Sequence, residues 1–285
     1  MATDISQRIR DLYSGFSKGQ KKIANAIIND YDKAAYMTAA KLGLYVGVSE
    51  STVVRFANEL GFEGYGEFQR AVQELVRTKL TPNQRIEITK QRIGRGDIIE
   101  NVMESDISKI RFSLERLNRD DFYRAVDSIL SAKVIYVMGA RSTEALAMVL
   151  GYNLSLIFDN IKFIKPTSTA EVFEQMFSIG SDDVLIAFSF PRYSSKMVSA
   201  VKYAKQNGAN VVVFTDSNIS PLAEYATCLL TAQSDMASFM DSLVAPISII
   251  NAIIVEITRR KEKDITLRFD KLEKVWDEYK VYTKQ

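Results

Sequence analysis

Apolar positions recur at two different periods along this chain, and the change of period divides it. In residues 1–77 the spacing is helical. Lys21 to Tyr31 places Ile23, Ala26, Ile27 and Tyr31 on one face. Thr38 is suited to cap a helix running through Leu44, which Gly47 ends; Ser49 is suited to cap the next, which Gly61 ends. Gly64, Tyr65 and Gly66 turn into a last helix, Glu67 to Arg77. Residues 78–96, TKLTPNQRIEITKQRIGRG, are polar and basic and carry Pro82, Gly94 and Gly96. They read as linker with part of it helical, and the expected division is 1–77, a connecting segment 78–104, and 105–285.

From residue 97 two helical segments, Ile98 to Leu117 and Asp120 to Leu130, precede an alternation of short apolar runs with helical ones. The runs are KVIYVM (133–138), IKFI (161–164), DVLIAFS (183–189), NVVVFT (210–215) and CLLT (228–231). Near-continuous apolar character marks parallel strands covered on both faces, and the intervening helices suit right-handed crossovers. The expected fold is an all-α N-terminal domain joined to an α/β, doubly wound domain with a five-stranded parallel sheet. Ligands of such sheets bind beyond the carboxyl ends of the strands, which points to the loops starting at Gly139, Ser189 and Thr215. The greasy stretch Leu243 to Ile257 is broken by Pro246 and Asn251 and is too short for a membrane span, so a buried helix is expected there. The tail DITLRFDKLEKVWDEYK (264–280) is amphipathic and suits a role in oligomerisation.

Composition narrows the chemistry. The chain has 285 residues, 47% hydrophobic and 25% charged, as a globular protein does. A single cysteine, Cys228, allows no intramolecular disulfide, and no signal pattern opens the chain, so a cytoplasmic protein is expected. Histidine is absent. That removes the commonest general base and transition-metal ligand, which weakens an enzyme reading although Glu or Lys can do proton work; no metal, cofactor or catalytic residue is expected. The net charge of +2 is uneven: residues 1–95 hold 15 basic and 10 acidic side chains (+5), and residues 96–285 hold 22 and 25 (−3). A basic N-terminal part suggests a polyanionic partner for that part.

The stretch VGVSESTVVRFANELGFEGYGEF (46–68) reads as helix, glycine turn, serine cap, helix. In a helix-turn-helix the second helix enters the DNA major groove with its N-terminal residues foremost. Val48, Val53, Phe56 and Leu60 suit the inner face; the candidate DNA-binding set is Thr38, Ser49, Glu50, Ser51, Thr52 and Arg55. Small hydroxyls allow close approach to phosphate, and Arg55 suits a phosphate or a guanine edge; Glu50 repels phosphate unless it reads cytosine or supports the helix dipole. On spacing alone a helical bundle that binds another protein remains open. The string VSESTVVRF followed by LGFEGYGEF resembles the N-terminal domain of the RpiR family of bacterial transcriptional regulators. The resemblance covers residues 1–77 and implies a helix-turn-helix module used as a dimer on roughly palindromic double-stranded operator DNA.

Two loops carry the candidate ligand site. VMGARSTEALA (137–147) leaves the first strand, with Gly139 allowing a sharp turn and Arg141, Ser142 and Thr143 at the start of a helix. The loop after the third strand offers Ser189, Arg192, Tyr193 and Ser194. Hydroxyls and a planar cationic fork suit a small anion. This half resembles the SIS (sugar isomerase) domain over residues 105–260, notably in AKQNGANVVVFTDSNISPLAEYA. The resemblance implies binding of a phosphorylated sugar or sugar acid and a dimerising role, hence a homodimer or homotetramer. It also exposes a departure. Where the SIS pattern reads Ser-x-Ser-Gly-x-Thr, this chain has Ser189-Phe190-Pro191-Arg192-Tyr193-Ser194. Proline has no N–H and arginine lacks glycine's freedom, so an altered phosphate cradle is expected. The implied function is a DNA-binding regulator of sugar metabolism that senses such an effector. Its alternatives are a metabolite-blind DNA-binding protein with a decayed sugar site, and a phosphosugar isomerase.

Overall fold

A computed structural model describes residues 5–79, 81–93, 97–165, 168–235 and 238–282. The chain forms two compact units, residues 1–92 and 93–285.

The first unit is helical: α1 (Ile5–Leu12), α2 (Lys18–Asn29), α3 (Tyr31–Ala34), α4 (Ala39–Val46), α5 (Glu50–Glu59), α6 (Tyr65–Lys79) and α7 (Pro82–Ile93). The α2 start is a capping box: Ser17 Oγ accepts from the Gln20 N–H, and Gln20 Oε1 accepts from the Ser17 N–H at 2.8 Å. Ile23, Ile27, Leu42, Val53, Phe56 and Phe68 are fully buried and form the centre. Phe56 meets Phe16 and Phe68 edge-on, with ring centroids 5.1 and 5.7 Å apart. The aromatic positions of the 62–68 stretch thus hold the core rather than face outward. Tyr65 Oη donates to the Met37 carbonyl at 2.6 Å, and Gln69 Nε2 joins it at 2.7 Å. Burial pushes the Tyr65 hydroxyl up to about 12. The segment expected as linker contains α7 and the beginning of the next helix.

The second unit opens with α8 (Ile98–Arg116) and α9 (Arg119–Ser131) and continues β1 (Ile135–Gly139), α10 (Glu144–Ser155), β2 (Ile161–Ile164), α11 (Thr169–Gln175), β3 (Val184–Phe188), α12 (Ser195–Gln206), β4 (Asn210–Thr215), β5 (Cys228–Thr231), α13 (Val244–Arg260) and α14 (Glu262–Glu278). The five strands are all parallel in the order β2-β1-β3-β4-β5. Every residue of β1 and β3 is buried, as their unbroken apolar runs require. Alternate side chains divide between two layers. Ile135, Val137, Ile186, Phe188 and Phe214 pack with residues of α9, α10 and α13. Tyr136, Met138, Leu185, Ala187 and Val213 pack with α11 and α12. Helix α13 contains the 243–257 stretch and buries Pro246, Ile249, Ile250, Ile253 and Ile257. No helix among the described residues is long and apolar enough to cross a membrane.

The strand order reverses between β1 and β3. At that switch point Gly139 lies opposite Phe188 at the carboxyl end of the sheet, the place where such sheets take their ligands.

Candidate functional site

In the first unit, Gly47 ends α4 with φ +70°, a left-handed conformation that swings the chain into α5. Thr38 and Ser49 cap the two helices. Thr38 Oγ1 accepts from the Lys41 N–H, and Ser49 Oγ accepts from the Thr52 N–H, each at 3.3 Å. Ser49 Oγ also lies 2.9 Å from Ser51 Oγ and 2.8 Å from Thr52 Oγ1. The hydroxyls therefore form one cluster at the leading end of α5. Val53 and Phe56 are buried beneath it, Val48 is half-buried, and Glu50, Ser51 and Arg55 are exposed. Arg55 Nε donates to the Ser51 carbonyl at 3.3 Å, which lays the side chain back along the helix. Lys22 from α2 lies at the turn, its Nζ 3.6 Å from where a Gly47 Cβ would be. Thr38 and Ser49 shape this surface as caps, while the exposed α5 residues and Lys22 supply its polar and cationic face. Lys22 escaped the sequence reading because only the α2–α4 packing brings it there.

In the second unit, the β1 loop is built around Gly139. A Cβ there would stand 2.3 Å from the Thr143 carbonyl oxygen, so only glycine fits. Thr143, expected to face a ligand, is instead buried. Its Oγ1 accepts from the Ala140 N–H and donates to the Ala140 or Phe188 carbonyl, each contact 2.9 Å long. The proton and one lone pair are spent on the frame, so Thr143 ties the β1 loop to the end of β3. Arg141 and Ser142 are exposed beside it.

The β3 loop corrects a second expectation. Arg192, at the position where the SIS pattern has glycine, adopts φ +64°. Arginine holds this left-handed turn without glycine's freedom, at a cost of about 1–2 kcal/mol of backbone strain. Phe190 and Pro191 turn inward and are buried. Ser189 is buried at the end of β3, and its hydroxyl has no hydrogen-bond partner among the described residues. Tyr193 Oη donates to Asp216 Oδ1 at 2.7 Å, and Thr215 Oγ1 joins the same oxygen at 3.1 Å. Asp216 follows β4 and adds a carboxylate that the sequence reading missed; only the fold joins it to Tyr193. Ser194 precedes α12 without a side-chain cap bond, so no side chain of its own N-cap satisfies the first N–H groups of that helix.

The N-terminal geometry and the strand order both agree with comparison to known proteins. Residues 3–79 match the helix-turn-helix domain of the rpiR family, and residues 128–256 match the SIS domain. The chain belongs to the RpiR family. An uncharacterized HTH-type transcriptional regulator of Haemophilus influenzae is 26% identical over 80% of this chain and 79% of its own length. The HTH-type transcriptional regulator HexR of Escherichia coli is 24% identical over 90% of this chain and 89% of its own. The solved structure of Vibrio vulnificus NanR, complexed with ManNAc-6P, shares the fold with a TM-score of 0.60 and 19% identity, covering 96% of this chain and 98% of that one. This RpiR-type chain therefore pairs a helix-turn-helix domain with an SIS domain.

Proposed function

We propose that this RpiR-type regulator binds operator DNA through α5 and senses a phosphorylated sugar in the SIS crevice. The observation that carries the effector half is the uncapped N-terminus of α12. It is flanked by the Ser194 and Ser195 hydroxyls, with Arg192 in the preceding turn and the unpartnered Ser189 hydroxyl at the strand end. Helix N–H groups, hydroxyls and a guanidinium together suit a phosphate. The NanR complex with ManNAc-6P supports the same reading by analogy of fold. Effector and DNA are coupled reciprocally: if one changes the affinity for the other, the reverse change has the same factor. The chain acts as a homodimer or homotetramer in the cytoplasm. Exposed apolar residues along α8, among them Ile98, Ile99, Met103 and Ile107, support self-association.

The rival reading, a metabolite-blind DNA-binding protein, draws on Phe190 and Pro191 filling the loop interior. Thermal unfolding of the full chain against hexose and amino-sugar phosphates, sugar acids and unphosphorylated controls separates the two. An effector at 100 times its dissociation constant adds about 2.7 kcal/mol of stability. A shift abolished by Ser189→Ala and Arg192→Ala supports sensing in this crevice, whereas a shift unchanged in both variants refutes the site. Turnover of any phosphosugar contradicts the non-enzymatic role.

A further inference from the structure

Helix α5, the proposed DNA-facing element, carries no net positive charge. Its sequence ESTVVRFANE holds two carboxylates, Glu50 and Glu59, against one guanidinium, and Arg55 is laid back along the helix by its bond to the Ser51 carbonyl. Duplex DNA is a polyanion, and neutralising its phosphates with Lys and Arg supplies the sequence-independent part of protein binding. For α5 those cations must come from a neighbouring element.

That neighbour is α2. Its sequence KGQKKIANAIIN carries Lys18, Lys21 and Lys22 in the first two turns and no carboxylate. The leading turn is fixed against α5 at three points. A Cβ on Gly19 would meet Val48 Cγ1 at 3.4 Å and Thr52 Cγ2 at 3.5 Å. Gln20, which completes the capping box at Ser17, also donates through Nε2 to Glu59 Oε2 at the far end of α5. Lys22 Nζ lies 3.6 Å from where a Gly47 Cβ would be, at the turn that leads into α5.

The three lysines are not equivalent. Lys21 Nζ lies over the Tyr13 ring, 5.6 Å from its centroid. Lys18 and Lys22 are exposed, and neither ammonium has a hydrogen-bond or ion-pair partner among the described residues. Four residues apart on one helix, they share a face, with Cβ atoms about 5–6 Å from each other. A lysine ammonium is a compact point charge on a flexible stem, suited to following phosphate oxygens rather than to fixing on one base edge.

We propose that the leading turn of α2 is a phosphate grip: Lys18 and Lys22 hold neighbouring phosphates of one DNA strand while the first residues of α5 meet the groove. Such contacts set affinity and register and are blind to sequence. They also offset Glu50, which stands exposed at the start of α5 and repels phosphate. The assignment rests on the DNA reading of α5 and adds the charge that the recognition helix itself lacks.

The test is an anisotropy titration of the full chain on two labelled probes, a duplex of random sequence and a duplex that the chain enriches from a random pool, each over a series of salt concentrations. Lys18→Gln and Lys22→Gln each remove one exposed charge, and circular dichroism melts matching the parent show the fold retained. Each change reduces the slope of log affinity against log salt by about 0.9, and the double change reduces it by about twice that. Both probes weaken by the same factor, since a phosphate contact carries no base information. Lys22→Arg keeps the parent slope. Lys274→Gln, at an exposed site on α14 of the second unit, leaves the slope unchanged. A parental slope in the double variant, an equal drop in Lys274→Gln, or a loss confined to the enriched duplex overturns the grip and leaves DNA binding intact. No binding of either probe by the parent at the lowest salt overturns both.

Discussion

Gly139→Ala tests whether the crevice is built as described. The added Cβ would stand 2.3 Å from the Thr143 carbonyl oxygen, 2.7 Å from its carbon and 2.9 Å from the Glu144 nitrogen. All three are backbone atoms at the entry to α10, so no side chain can swing aside. Relief requires β1 and the start of α10 to part. That movement stretches the 2.9 Å bonds that Thr143 Oγ1 accepts from the Ala140 N–H and donates to the Phe188 carbonyl. Overpacking of this kind costs about 1–3 kcal/mol, and each of the two lost hydrogen bonds about 1 kcal/mol, giving about 3–5 kcal/mol together. For a unit of this size that lowers the midpoint of thermal unfolding by about 6–20 °C. Circular dichroism melts of the full chain read it, with Gly180→Ala as control, since a Cβ there meets nothing within 4 Å. A Gly139→Ala protein melting within about 2 °C of its parent, less than 1 kcal/mol, refutes the reasoning.

Three further outcomes follow from the same geometry. Arg192→Gly removes about 1–2 kcal/mol of left-handed strain and adds about 0.5–1 kcal/mol of unfolded-chain entropy, so it stabilises by about 0.5–1 kcal/mol while weakening effector binding; urea titration reading a destabilised protein contradicts this. Arg55→Ala, at an exposed site on α5, weakens operator binding by about 1–3 kcal/mol at fixed salt and leaves the melting midpoint unchanged; unaltered affinity in an anisotropy titration removes Arg55 from the reading surface. The Tyr65 hydroxyl is raised by burial from 10.0 to about 12, so its contribution is complete below pH 10 and is lost as pH rises toward 12. After allowance for its partial exposure that loss is about 1–2 kcal/mol. Tyr65→Phe flattens this alkaline decline in urea titrations between pH 9 and 12, within the limits that Lys and other Tyr groups set; an identical slope in both proteins contradicts it.

The parallel strands were legible because β1 and β3 lie wholly inside, where apolar residues run without interruption. The caps at Thr38 and Ser49 were legible because a hydroxyl before an apolar-periodic run satisfies orphan N–H groups locally. Helix α7 was legible only as partial helix within a linker, since residues 82–93 lack an apolar stripe and Pro82 reads as a breaker. Yet Pro82 opens the helix, where its missing N–H costs nothing. The preceding Thr81 forms a capping box with Gln84, whose Oε1 accepts from the Thr81 N–H at 2.9 Å, and TPNQ carries that signal. The crevice was legible only in position. Which hydroxyls are free depends on contacts far apart in sequence: Thr143 with Phe188, Tyr193 with Asp216. The left-handed backbone at Arg192 was hidden because arginine does not announce it as glycine does.

The central claim is a DNA-reading regulator whose SIS crevice answers to a phosphorylated sugar compound, and one titration tests it most directly. Duplexes enriched by the full chain from a random pool are labelled and titrated with protein, at fixed salt, with and without each phosphorylated compound of the panel. The account predicts an enriched, roughly palindromic site whose affinity changes in the presence of at least one such compound, with the change lost in Ser189→Ala. Failure to enrich any duplex, or an affinity indifferent to a compound that calorimetry shows bound in the crevice, contradicts it.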